Sequence, residues 1–162
     1  MNIAEADFEK LSFLIRVIEK EVKHLKYTSN KIFSVPLNDV HIKTLEDNPV
    51  FAEQLEAYTS RFCRLQDTLG DKLLPAWLEF LGESSRSVID NLDKASKLGF
   101  TVDPDEWLVI RQLRNKMVHE YIEAEEVFLN ALNFTHDYEE NLFVFANEII
   151  ADLKARGIKE NK

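Results

Sequence analysis

The chain has 162 residues, enough for one domain with a substantial core, and its 45% hydrophobic and 30% charged residues are ordinary for a soluble globular protein. Only 4 glycines and 4 prolines exclude a protein built from many tight turns, while a single cysteine, Cys63, excludes an internal disulfide framework and a multi-cysteine zinc site. The formal net charge of -9 gives no encouragement to a nucleic-acid partner, because phosphate contacts need clustered Lys and Arg.

The first expected helix runs from about Ile3 to Lys26, with Phe8, Leu11, Ile15, Ile18, Val22 and Leu25 recurring at steps of three and four. Glu5, Asp7 and Glu9 stand where the basic start of a signal peptide would be. The runs "LLPAWLEFL" and "LFVFA" are too short to span a bilayer, so the expectation is a cytoplasmic chain with no membrane partner. Tyr27 to Asp47 lose the periodicity and read as a connection or a short extra turn.

At "DNPVF", Asn48 and Pro49 start a second helix through Phe51, Leu55, Tyr58, Phe62, Leu65 and Leu69, which Gly70 and Pro75 should kink or break before Trp77. Cys63 falls within this pattern and reads as a small core residue. A shorter helix follows from about Ser85 to Leu98 and ends at Gly99. Asp103 and Pro104 repeat the cap-plus-proline start, and their helix runs into "RNKMVHEY". The segment from about Ala124 to Ala155 is one helix or two, and the tail from residue 157 reads as frayed. One all-α domain, a bundle of about five helices, is the expected architecture.

The eight residues from Arg114 to Tyr121 carry the only conspicuous chemistry. With Arg111 at zero and about 100° per residue, Ile110, Met117 and Leu113 fall at roughly -100°, -120° and -160°, which marks the core face. Arg114 and Tyr121 lie near -60° and -80°, Asn115 and His119 near +40° and +80°, all roughly. Trp107 and Val118, at roughly -40° and -20°, put apolar groups among these cations. Such an arc suits contact with a second copy of the chain, with Trp107, Arg114 and Val118 at or near the interface.

The plainer explanation is that an arginine and a histidine near a helix C-terminus stabilise its dipole. Arg-x4-His alone arises by chance in roughly one chain of this size in six; the added Asn and Tyr make the pattern about a thousandfold rarer.

With Asn115 after the arginine and Tyr121 two beyond the histidine, "RNKMVHEY" resembles the Arg-x4-His-x-Tyr motif of the HEPN superfamily's HepT branch. The preceding "NLDKASKLGFTVDPDEWLVIRQLRN" is similar to that branch's helix, glycine turn and motif helix, and the resemblance covers about residues 55 to 150. It implies a HEPN-like bundle with a four-helix core that dimerises at the motif. It also implies a metal-independent endoribonuclease that acts as the toxin of a toxin–antitoxin pair. Carried over, Arg114 and His119 become the catalytic pair, Asn115 their polar support, and Tyr121 the acceptor of AMP from a minimal nucleotidyltransferase antitoxin. Arg111, beside the pair, is a further candidate for substrate phosphate. No cofactor or metal is expected.

Two other readings stay open. One is a non-catalytic HEPN module that pairs with a nucleotidyltransferase; the other is a structural bundle whose motif only caps a helix. Elsewhere, His136 with Asp137 and Glu140 reads as a solvated helix face more readily than as half a metal site, and the runs "EAEE" and "DYEE" as solvated turns. Arg61 and Arg64, one turn apart, read as surface residues that would extend a phosphate path.

Overall fold

The computed structural model describes residues 3–119 and 124–160. Its helices are α1 (Ile3–Ile32), α2 (Asp39–Lys43), α3 (Pro49–Thr68), α4 (Leu74–Phe80), α5 (Val88–Lys97), α6 (Pro104–His119) and α7 (Glu125–Ala155). No strand occurs among the described residues. Because α3 and α4 follow one path and α2 is a single short turn, five long segments make the bundle, as the periodicity predicts.

Helix α1 packs along α3, and α6 along α7. The apolar stripe of α1 delivers Leu11, Leu14, Ile15, Ile18, Leu25 and Ile32 to the core. The helix passes the expected stop at Lys26, where the apolar periodicity is lost, because Thr28 and Ser29 face inward with partners. Thr28 Oγ1 donates to the His24 carbonyl at 3.2 Å, and Ser29 Oγ to Glu139 Oε1 at 2.7 Å. The irregular stretch after it holds α2, whose capping box pairs Asn38 with His41, and a 3₁₀ turn at Leu45–Asp47.

Asn48 caps α3 by accepting from the Phe51 amide at 3.2 Å, with Pro49 first in the helix. The expected disruption before Trp77 is a π-turn at Leu69–Leu73, which lets α3 run into α4 with Pro75 in the first turn of α4. Gly70 lies inside it, and a Cβ there would sit 2.6 Å from Trp107 Cζ2 on α6. Only glycine allows that approach.

Ser87, two residues past the expected start, caps α5, and Asp103 Oδ1 accepts from the Asp105 and Glu106 amides at the head of α6. α7 is one uninterrupted helix. It closes as α5 does, on a glycine of positive φ (93° at Gly99, 98° at Gly157) whose neighbours satisfy the last carbonyls. The tail is therefore not frayed at this point. Ile158 is buried, and the Lys159 carbonyl accepts from Ser12 on α1; residues 161 and 162 lie outside the described ones.

Candidate functional site

The motif helix is turned further than its apolar pattern suggests. Trp107 is 1% exposed, packed edge-on to Phe145 and against Gly70, so it is a core residue of its own protomer and not part of an outer face. Trp107, Ile110 and Met117 are buried and Leu113 only half-buried, which centres the inward sector near -80°, roughly 50° from the expected face. Arg114 falls inside that sector. Val118 remains outside at 57% exposure, and Asn115 is exposed.

Across from Arg114 lies the end of α3. Arg114 Nη1 donates to Asp67 Oδ1 at 2.5 Å and to Gln66 Oε1 at 3.2 Å, while Nη2 donates to Asp67 Oδ2 at 3.0 Å. Gln66, itself buried, also donates from Nε2 to the Trp107 carbonyl at 3.3 Å, so its amide is fixed from both ends. Burial opposes the Arg114 charge, but Asp67's hydrogen bonds and charge, with Cys63's help, hold the guanidinium above its usual range. Its Nε is enclosed without a partner. One turn back, Arg111 Nη2 lies 3.5 Å from Asp71 Oδ2 in a half-exposed pair that contributes little to stability.

The fork of Arg114 is therefore filled by α3. Two hydrogens of Nη1 and one of Nη2 are taken, Nε–H is enclosed and Cys63 also engages the guanidinium, so little of the fork is left for a ligand. A two-pronged grip on phosphate requires Asp67 to withdraw.

Beside this clamp a cavity of about 640 Å³ opens between α3 and α6, lined by Cys63, Arg64, Asp67, Lys72, Arg114, Met117 and Val118 among others. Cys63 is thus not a core residue but part of a groove wall, where burial pushes its thiol up despite the opposing pull of Arg114. Arg61 turns away from the groove and ties α3 to α1 through Thr28 Oγ1 and the His24 carbonyl.

His119 is the last described residue of α6, but its side chain, like the whole of Tyr121, lies outside the described residues. The structure brings Arg114, Asp67, Gln66, Cys63 and Arg64 together. Gln66, Asp67 and Asp71 were not expected from the sequence; the available signal was a glutamine on the apolar stripe of α3, one residue before an aspartate.

A second polar cluster joins α1, α3 and α7. Glu139, within the run expected to be solvated, is 6% exposed. It accepts from Ser29 Oγ at 2.7 Å and Tyr58 Oη at 2.7 Å, and His136 Nδ1 lies 3.0 Å from its Oε2. His136 thus pairs with Glu139 and not with Asp137 or Glu140, and its ring stacks on Phe33 at 3.8 Å. Burial, followed by the charge of Glu139, pushes the Tyr58 hydroxyl well above its usual range. Ser29, His136 and Glu139 do not form a nucleophilic triad, because hydroxyl and carboxylate meet the same ring nitrogen. Among the described residues no group of three His, Cys, Asp or Glu is placed to hold a metal, and no helix is long and apolar enough to cross a membrane.

Searches of known family models, of curated proteins and of solved structures give no match to the chain.

Proposed function

We propose that the chain is a metal-independent endoribonuclease of the HepT-like HEPN kind, acting at the α3–α6 groove and the C-terminal end of α6. The observation that carries this reading is the Arg114 guanidinium, held by Asp67 at the rim of a 640 Å³ cavity on the helix that carries His119. His119 transfers protons near neutral pH: the substrate's 2′-hydroxyl gives up its proton and attacks the adjacent phosphorus, and the bond to the 5′-oxygen breaks as that oxygen takes a proton, leaving a 2′,3′-cyclic phosphate. Arg114 offsets charge on the phosphorane oxygens, and Asn115 supports the pair. Two copies of the chain meet on the outward face of α6, where Val118 and Leu108 are exposed. The Tyr121 hydroxyl takes AMP from ATP on a partner nucleotidyltransferase, with release of pyrophosphate, which neutralises a toxin that works in the cytoplasm.

RNA cleavage by the purified chain, compared with His119→Ala, is the test. Loss of a general acid–base group should slow cleavage by about 10²- to 10⁴-fold with the helical signal intact, and activity should persist in EDTA. Equal cleavage by both proteins assigns the activity to a contaminant.

One observation favours the second reading, a non-catalytic HEPN module that docks a nucleotidyltransferase. Asp67 and Asp71 already occupy Arg114 and Arg111. Absence of cleavage together with stable binding to such an enzyme decides for it.

A further inference from the structure

The wall of the groove on α3 and its π-turn carries two cations that the ion pairs leave over. Asp67 closes on Arg114 and Asp71 on Arg111, so those four charges cancel in pairs. Arg64 and Lys72 line the same cavity, and neither makes a hydrogen bond or ion pair among the described residues. The carboxylate that feels both is Glu21, which accepts from Thr68 instead. Of the other lining carboxylates only Glu56 is uncommitted, two turns before Arg64 on α3. Once the pairs are removed, Arg64 and Lys72 face one lining carboxylate, Glu56, in a chain whose total charge is -9.

Spacing and lining narrow the ligand. Arg64 and Lys72 are eight residues apart, roughly 12 Å along a helix. That separation suits two phosphates of one strand better than a single phosphate. Cys63 and Met117 line the same cavity and give it an apolar wall against which a nucleoside can rest. Arg114 is too committed to Asp67 and Gln66 to provide the main phosphate contact.

We infer that the groove binds single-stranded RNA through Arg64 and Lys72, which contact its phosphates while a nucleoside rests on Cys63 and Met117. This rests on the ribonuclease reading and assigns that reading's substrate contacts to residues outside the motif.

The test is fluorescence anisotropy with a short, labelled, 2′-O-methylated RNA, which carries the phosphates but no attacking hydroxyl. Arg64→Ala/Lys72→Ala should weaken binding at least about tenfold and flatten the log–log salt dependence by about 1.4, which is 0.7 for each lost contact. Lys43→Ala/Lys97→Ala removes the same charge from exposed pairs on α2 and α5 and should stay within about twofold of wild type. Wild-type affinity in the first double variant, an equal loss in the second, or no binding by the wild type overturns the inference. Cleavage of unmodified RNA is measured alongside. Binding that depends on Arg64 and Lys72 without cleavage keeps these contacts and rejects the nuclease; cleavage with binding indifferent to them does the reverse.

Discussion

The bundle holds two polar clusters, and they are built on opposite terms. Around Glu139, Ser29 and Tyr58 donate hydrogen bonds to a buried carboxylate, and His136 closes its open side. Around Arg114, a charged fork meets a half-exposed aspartate, one buried N–H has no partner, and a cavity opens beside it. A closed network between three helices fixes how they pack. A clamp with an orphaned donor and open space beside it is the arrangement expected where ligands act. The first cluster should therefore matter to stability and the second to binding.

The largest effect should come from Glu139→Ala. It leaves the Tyr58 and Ser29 hydroxyls without their acceptor in the core, at a cost of about 3 kcal/mol. Thermal melting should fall by roughly 6 to 12 °C, while Glu140→Ala, an exposed neighbour, moves it little. A Glu139→Ala protein that melts like the wild type would remove the contrast between the clusters.

Gly70→Ala should rank next, because the new methyl meets Trp107 Cζ2 at 2.6 Å and Trp107 has no room to swing. Overpacking of this kind costs about 2 kcal/mol. Since Gly70 lies between Asp67 and Asp71, the strain also reaches both arginine pairs. Trp107→Leu in the Gly70→Ala background should recover part of the loss measured by urea unfolding. No recovery would show that the damage lies in the π-turn itself.

These two sites differ in how far the sequence revealed them. Asn48, Asp103 and Gly99 announce their helix ends because caps are local chemistry read within a few residues. Gly70 and Pro75 flag a disruption, but that the chain forms a π-turn and does not break shows only in the fold, where Trp107 of another helix packs on Gly70. Glu139 reads as solvated because its neighbours Asp137 and Glu140 are, and only the packing of α1 and α3 on α7 reveals its donors. Asp67 escapes for the same reason: it meets Arg114 across 47 residues of chain. The rotation of α6 is misjudged because Trp107, lying among cations, pulls the reading outward. Once Gly70 makes space, the indole goes in and carries Arg114 toward α3.

Alkaline pH probes the first cluster through Tyr58, together with a separate buried hydroxyl, Tyr138, with a smaller effect. Burial raises the hydroxyls of both Tyr58 and Tyr138, helped by Glu139 for the first and Glu106 for the second. An unfolded tyrosine loses its proton near pH 10, roughly, while these two keep theirs when folded. The stability tied to them is therefore complete below that pH and declines above it, by about 1 kcal/mol for each tyrosine between pH 10 and 11. Tyr138→Phe should remove about half of this decline in melts across that interval. An unchanged decline would place the sensitive groups elsewhere.

The smallest change in stability should come from Asp67→Asn, and it gives the sharpest test of what the second cluster does. Asp67 is 44% exposed, and an asparagine can still accept one hydrogen bond from Arg114, so unfolding should shift by about 1 kcal/mol or less. The electrostatic change is larger than that number suggests. A negative charge leaves the groove, and the Arg114 fork is no longer held by a carboxylate that competes with phosphate. If Asp67 occupies the place of substrate, binding of 2′-O-methylated RNA should tighten by about three- to tenfold. If Asp67 instead serves to aim Arg114, binding stays level and cleavage of unmodified RNA falls, because a guanidinium off its angle stabilises the transition state less. Measuring affinity and single-turnover cleavage on the same variant separates the two roles: tighter binding identifies a carboxylate that substrate must displace, and slower cleavage at unchanged affinity identifies one that orients the arginine.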